Sequence, residues 1–176
     1  DSGIDEINKP GKKIIGRGIA EKSARRYYNI LTVSGVAAGF MVSYMIGKPG
    51  LAIIHMIAAT MLYYYSYKYK YLPAWGNLSV AFLSALVVVI AWLFEYFAFR
   101  NEPMAFISGY PSFGMITTFT LGYAVFAFLS SEIREIIKDM NDVEGDQENG
   151  CRTWPVIFGT KKTIRICTMI IIFTMA

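Results

Sequence analysis

Four long apolar blocks, and a fifth that ends the sequence, limit what this chain can fold into. A soluble core does not need apolar runs of about 17–25 residues, whereas a helix that crosses a bilayer does. Backbone amides and carbonyls find no water in lipid, so each block must satisfy them within its own helix. The sequence therefore predicts an all-α, multi-pass transmembrane helical bundle, with about five membrane helices in blocks 27–46, 51–67, 76–99, 113–131 and 164–176.

The basic residues predict the orientation of this bundle. Seven Lys and Arg residues precede the first block, and the next four gaps with their helix ends hold one, two, one and six. The alternation follows the positive-inside rule, which places the N-terminal segment, the 68–75 loop and the segment after the fourth block in the cytoplasm. We expect a plasma-membrane protein in contact with membrane lipid, with its active site on the cytoplasmic side. The net charge of +4 follows topology, and we expect no nucleic-acid partner.

Acidic residues are concentrated after the fourth block, in the stretch "SSEIREIIKDMNDVEGD". If the helix continues through this stretch, its acids recur at spacings of four, three and four residues and lie on one face, at Glu135, Asp139, Asp142 and Asp146. Like charges at these spacings repel each other, and a bound cation would remove the repulsion. Carboxylates without Cys or His nearby suit Mg²⁺ or Ca²⁺ better than Zn²⁺. The alternative is a solvated acidic turn.

A second acidic face opens the chain, in "DSGIDEINKP". Two such faces on one side of the membrane predict a pair of Mg²⁺ ions whose coordination a diphosphate completes. The candidate catalytic and metal-binding residues on the two faces include Asp1, Asp5, Asp139, Asp142 and Asp146. Any single Lys could instead be snorkelling at a helix end, and the tyrosines could form an interfacial belt. Taken together, however, these groups fit the binding of a diphosphate beside the acidic faces. The predicted substrate-binding residues are Asn8, Lys12, Lys13, Arg17, Tyr65, Lys68, Lys70, Arg134 and Lys138.

Three motifs in order, "DSGIDEINKP", "YKYKYLPAWGN" and "REIIKDMNDVEGDQENGCRTWPVIFG", resemble the UbiA superfamily of intramembrane prenyltransferases. The closest resemblance is to the digeranylgeranylglyceryl phosphate synthase-like branch. It implies a nine-helix bundle in which Asp1 and Asp5 match the first acidic motif. Asp142 and Asp146 match the second motif, with Asp139 as the extra Asp of this branch. Diphosphate contacts are implied for Tyr65 with Lys70, or for Tyr64 with Lys68.

The leading Asn of the first motif would lie upstream of residue 1. We therefore expect a single prenyltransferase domain over residues 1–176 that is truncated at both ends and lacks helices there.

The resemblance implies transfer of a prenyl group, with geranylgeranyl diphosphate as the expected donor, to a lipophilic acceptor such as a prenylated glycerol phosphate. The main alternative is a UbiA-type enzyme with an aromatic acceptor. A CDP-alcohol phosphotransferase would need an Asp-Gly-x-x-Ala-Arg signature, which "DVEGDQENG" lacks. A soluble-type isoprenyl chain-elongating synthase would not have lipid-length helices. A transporter would carry its charged site near the membrane midplane.

Overall fold

A computed structural model describes residues 7–8, 14–16 and 18–175, and this part of the chain contains helices but no β-strand. The prediction of an all-α protein is confirmed. Short 3₁₀ turns at Pro49–Leu51 and Tyr69–Tyr71 separate the first three helices. In chain order the helices are α1 (Glu21–Met45), α2 (Ala52–Tyr67), α3 (Trp75–Arg100), α4 (Pro103–Asn141), α5 (Val143–Glu148), α6 (Trp154–Phe158) and α7 (Thr160–Met175).

Three of these helices, α1, α3 and α4, are long and apolar enough to cross a membrane. Helices α2 and α7 have 16 residues each. At 1.5 Å per residue they are about 24 Å long, which is less than the roughly 30 Å of a hydrocarbon core. The count of five membrane helices is therefore not confirmed by the described residues.

Helices α3 and α4 form an antiparallel hairpin that supports the rest of the fold. Trp92 Nε1 donates a hydrogen bond to Thr117 Oγ1 at 2.9 Å. The ring of Phe113 lies within 6.3 Å of several aromatic rings, including those of Trp92, Tyr96 and Phe106. Many large apolar side chains remain exposed on the outside of the helices. A surface of this kind suits lipid better than water.

The hairpin has two polar ends. At one end, Gly47 ends the turn after α1 with a φ of 69°, a conformation that favours glycine. The Asn101 side chain donates to the Ile46 carbonyl at 2.9 Å, so the α1–α2 and α3–α4 connections lie together there. At the other end the first turn of α3 lies beside the last turns of α4. The 68–75 loop and the acidic stretch therefore share one end of the bundle.

The acidic stretch is not one continuous helix, contrary to the assumption that put its four acids on one face. Helix α4 ends at Asn141, Asp142 has φ −106° and ψ 12°, and α5 starts at Val143. Closely spaced like charges oppose continuation of the helix, and Gly145 adds a weak helix former just beyond the break. The break separates the acids of α4 from Asp146, which lies on α5.

Candidate active site

Three carboxylates form a buried face on the last turns of α4. Glu132, Glu135 and Asp139 follow one another at i, i+3 and i+7, so they lie along one side of the helix. Their exposed fractions are 4%, 4% and 8%. A buried carboxylate is costly unless another group compensates for the lost water. The partners of each acid therefore determine what this face can do.

Asp139 is held by a residue from the neighbouring helix. Asn77, in the first turn of α3, donates from Nδ2 to Asp139 Oδ2 at 2.8 Å. The two residues lie 62 positions apart in sequence, and both are buried. This bond joins two packed helices, so it fixes the carboxylate of Asp139 at the polar end of the bundle.

The other two acids of the face, Glu135 and Glu132, differ in whether they have hydrogen-bond or ion-pair partners. Glu135 accepts a hydrogen bond from Arg134 Nη2 at 2.6 Å, and Lys138 Nζ lies 3.7 Å from its second oxygen. Glu132 has both carboxylate oxygens buried without a hydrogen-bond partner in the described structure. It lies within electrostatic range of Asp139 and Glu135, so the inner end of the face carries an uncompensated acid.

The second acid pair follows at the junction between α4 and α5. Asp142 is half-buried at the break, whereas Asp146 is buried on α5. Burial raises the pKa of the Asp146 carboxyl above its usual range, and the charge of Asp142 adds to the rise. Cys151 donates its backbone N–H to the Asp146 carbonyl at 2.8 Å, which folds the following loop back onto α5. Burial also raises the pKa of the Cys151 thiol.

Of the predicted N-terminal site residues, the structure describes Asn8. Its Nδ2 donates to the Asp142 carbonyl at 3.2 Å, and its Oδ1 accepts from the Gly145 N–H at 2.9 Å. Asn8 therefore contacts the backbone at the second acid pair. The other predicted residues of this segment lie outside the described residues, namely Asp1, Asp5, Lys12, Lys13 and Arg17.

The tyrosine-rich stretch at residues 63–71 has some of its side chains close to the acidic face of α4. Tyr65 is half-buried and lies within electrostatic range of Lys138, Asp139 and Lys70. The Lys70 ammonium lies 4.9 Å from the centroid of the Tyr71 ring. Tyr64 and Lys68 are exposed, and the ring of Tyr64 stacks on that of Tyr69 at 5.9 Å. Of the two possible Tyr/Lys pairs, Tyr65 and Lys70 are the pair that the structure brings toward the acids.

The sequence predicts no site role for Asn77, Glu132 or Gly145. Asn77 could have been noticed as an amide at the start of an otherwise apolar helix. Glu132 continues the acidic spacing of α4 toward the membrane, which marks it as more than a solvated residue. Gly145 gives no such signal, because its role depends on a contact with a residue 137 positions away.

The polar groups at this site are carboxylates, amides, a phenol, and ammonium and guanidinium groups. A metal ion could bind the oxygen atoms of the first three. Within the described residues, no group of three His, Cys, Asp or Glu side chains is arranged to hold a metal ion on its own. Oxygen donors of this kind suit a hard cation that also binds phosphate oxygens, as Mg²⁺ does. The donor chemistry therefore fits Mg²⁺ if further oxygens complete its coordination.

Buried carboxylates at one end of bilayer-length helices define an integral membrane protein with a polar site at the bundle end. The chain belongs to the UbiA prenyltransferase family, which matches residues 1–176.

Curated relatives carry the name digeranylgeranylglyceryl phosphate synthase. The protein from Methanobrevibacter smithii is 32% identical over 176 residues, which is 100% of this chain and 56% of the relative. Those from Methanosphaera stadtmanae and Pyrococcus furiosus are also 32% identical, over 99% and 96% of this chain and 55% and 52% of their own lengths. The chain thus spans about half the length of these relatives. No solved structure matches it.

Proposed function

We propose that this chain forms part of a Mg²⁺-dependent prenyltransferase that transfers a prenyl group from an isoprenyl diphosphate to a lipophilic acceptor. The family membership and the names of the relatives support geranylgeranyl diphosphate as the donor and a geranylgeranylglyceryl phosphate-like lipid as the acceptor. The observation that carries the proposal is the convergence of buried acids, exposed cations and a tyrosine at one end of apolar helices. Residues 1–176 would belong to one catalytic domain.

The acids would bind Mg²⁺, and the basic side chains would neutralise the remaining negative charge of the diphosphate. We assign Asp139, Asp142 and Asp146 to Mg²⁺, together with Asp1 and Asp5 of the N-terminal segment. Bound Mg²⁺ would supply charge neutralisation for the leaving diphosphate. Asn77 holds the Asp139 carboxylate in place, so this ligand needs little reorganisation when the substrate arrives.

Exposed basic side chains would bind the remaining phosphate oxygens. Arg134 and Lys138 have side chains that are 72% and 52% exposed, so they can turn from Glu135 toward a ligand. Lys70 and Tyr65 approach the same face from the tyrosine-rich stretch. Lys12, Lys13, Arg17 and Lys68 remain predicted contributors. Positive groups around the diphosphate favour the negative charge that develops when the allylic C–O bond breaks.

The apolar helices would receive the prenyl chain. Because the acids lie at the bundle end, the diphosphate would stay there while its tail enters the lipid-like interior. Exclusion of water from that interior protects an allylic cation from hydrolysis until the acceptor attacks C1. The acceptor oxygen then forms the new C–O bond and loses its proton. The alternation of basic residues supports a cytoplasmic position for this site, in what we propose is the plasma membrane.

A transfer assay with the full-length protein in membranes tests the proposal. Labelled geranylgeranyl diphosphate is supplied with either a geranylgeranylglyceryl phosphate-type lipid or an aromatic acceptor, with Mg²⁺ or with a chelator. We expect Mg²⁺-dependent product with the glycerol phosphate lipid, and its loss by at least about a hundredfold in Asp142→Asn and Asp146→Asn. Glu148→Gln is the control, since Glu148 is an exposed acid on the same short helix. Product with the aromatic acceptor alone would change the acceptor class. Full activity in both Asp variants would refute the assignment of these acids.

A further inference from the structure

A single side chain connects the N-terminal segment to the junction between α4 and α5. Asn8 Oδ1 accepts the Gly145 N–H at 2.9 Å, while Nδ2 of the same amide donates to the Asp142 carbonyl at 3.2 Å. Both partners are backbone atoms, so the contact does not depend on side-chain rotamers of the junction. A planar amide that uses both of its ends has a defined distance and orientation relative to these partners.

The close approach of Asn8 requires a glycine at position 145. A Cβ atom added to Gly145 would lie 2.5 Å from Asn8 Nδ2, 2.6 Å from Oδ1 and 2.7 Å from Cγ. The two nearest, Nδ2 and Oδ1, are the atoms that make the hydrogen bonds, so they cannot turn away without breaking the contact. Glycine weakens a helix interior, and α5 has only six residues. The contact with Asn8 explains why a helix of this length contains a glycine.

The position of the contact links it to the acids. Asn8 binds the backbone of Asp142 and of Gly145, the residue before Asp146, so it contacts the backbone segment that carries both acids of the second pair. In sequence it follows Asp5 by three residues. Asn8 is thus a described residue that follows the first acidic motif in sequence and contacts the second acid pair in the structure.

We propose that Asn8 is a positioning residue, and that it forms with Gly145 and the Asp142 carbonyl a latch that sets the separation of the two acidic segments. This inference rests on the proposed function in one respect, namely that both segments act on the same Mg²⁺–diphosphate ligand. It also changes the role expected for Asn8 from the sequence. An amide whose oxygen and nitrogen both bind the backbone of the junction is oriented by the protein, not by the diphosphate.

The latch predicts a specific coupling between two substitutions. Asn8→Ala removes both hydrogen bonds, and Gly145→Ala displaces the same side chain by steric overlap. In the double variant, the shortened side chain at position 8 lacks the atoms that a Cβ at position 145 would meet, so the overlap disappears. Asn149→Ala is the matched control, because Asn149 Nδ2 donates to the Gly145 carbonyl at 2.8 Å within the same segment. It removes an amide–backbone bond of this segment without touching the N-terminal segment.

Two measurements on the full-length protein test the coupling. The first is thermal unfolding in detergent without Mg²⁺ or substrate, and the second is the Mg²⁺ concentration that gives half-maximal prenyl transfer. We expect both single variants to unfold at a lower temperature and to need about tenfold more Mg²⁺, since two hydrogen bonds are lost in each. The double variant should be no worse than Asn8→Ala alone, and Asn149→Ala should need the wild-type Mg²⁺ concentration.

Other outcomes would overturn the latch. If the effects of Asn8→Ala and Gly145→Ala multiply in the double variant, the two residues act independently. If Asn8→Ala raises the KM for the prenyl diphosphate while the Mg²⁺ requirement stays unchanged, Asn8 is a substrate contact. Failure of the wild-type protein to transfer any prenyl group would instead refute the proposed function. The unfolding measurements would still decide whether the latch exists.

Discussion

Replacing Asn77 by Leu should leave the Asp139 carboxylate buried without its hydrogen bond. The bond is 2.8 Å long, and the two residues are only 7% and 8% exposed. Hydrogen bonds to charged groups contribute about 1.5–3 kcal/mol, and an orphaned buried acceptor also loses its compensation for desolvation. Leu has the same branching as Asn, so little cavity forms. We therefore expect the free energy of unfolding to fall by about 2–3 kcal/mol.

A double substitution separates this explanation from general damage at the helix start. When both partners of a buried hydrogen bond become apolar groups of similar shape, the net change can be close to zero. Asn77→Leu combined with Asp139→Leu should therefore recover most of the stability that Asn77→Leu loses. The same double variant should transfer no prenyl group, because it lacks the Asp139 carboxylate. Relative to Asn77→Leu alone, the double variant would thus gain stability without gaining any prenyl transfer.

Asn101→Leu provides the control at the other end of the bundle. It removes the hydrogen bond from Asn101 to the Ile46 carbonyl, which is neutral and only partly buried. We expect a loss of about 1 kcal/mol and unchanged prenyl transfer. The assay is reversible unfolding of the full-length protein in detergent, followed by intrinsic fluorescence. Equal losses for Asn77→Leu and Asn101→Leu, or no recovery in the double variant, would refute the reasoning.

Two further predictions concern other buried groups. Glu132→Leu should stabilise the protein by about 1–3 kcal/mol in thermal unfolding, because it removes a buried carboxylate with no partner in the described structure. A lower unfolding temperature would show that Glu132 has a stabilising partner. In a Cys167→Ser background, alkylation of Cys151, followed by mass spectrometry, should begin at a higher pH in the folded protein than in the unfolded one. Burial raises the pKa of this thiol above its ordinary value of 9.0, and this lowers the thiolate fraction at any given pH. Equal pH profiles would contradict this.

Much of the helical architecture follows from apolar block length alone. Blocks 27–46, 76–99 and 113–131 correspond to α1, α3 and α4, which are long enough to span a bilayer. The bounds differ most for α4, which begins at Pro103 and continues through Pro111. A proline inside a helix removes a hydrogen bond, but neighbouring helices and side chains can compensate in a membrane protein. Helix bounds therefore depend on tertiary packing that block length does not report.

The site is less predictable than the helices, because its contacts join residues that are distant in sequence. Residue types and spacing predicted Asp139 on α4, both acids of the second pair and the neighbouring cations as candidate site residues. They could not predict that Asn77 would bind Asp139, or that Asn8 would bind the backbone at Gly145. The same spacing led to a wrong expectation of helical continuity at Asp142. Charge repulsion along one face favoured a break there, and the break provides the backbone groups that Asn8 binds.

The partners of the three buried acids on α4 indicate which parts of the site are fixed and which can move. Asp139 is fixed, since Asn77 holds it from a packed helix through a short hydrogen bond. The partners of Glu135 are long basic side chains whose ends reach solvent. Each pair joins an exposed cation to a buried carboxylate, so one cation can turn toward a phosphate group only while the other cation or a bound metal compensates Glu135. A site with fixed acids and mobile cations can hold a metal in a constant place while its basic groups follow a diphosphate that enters and leaves.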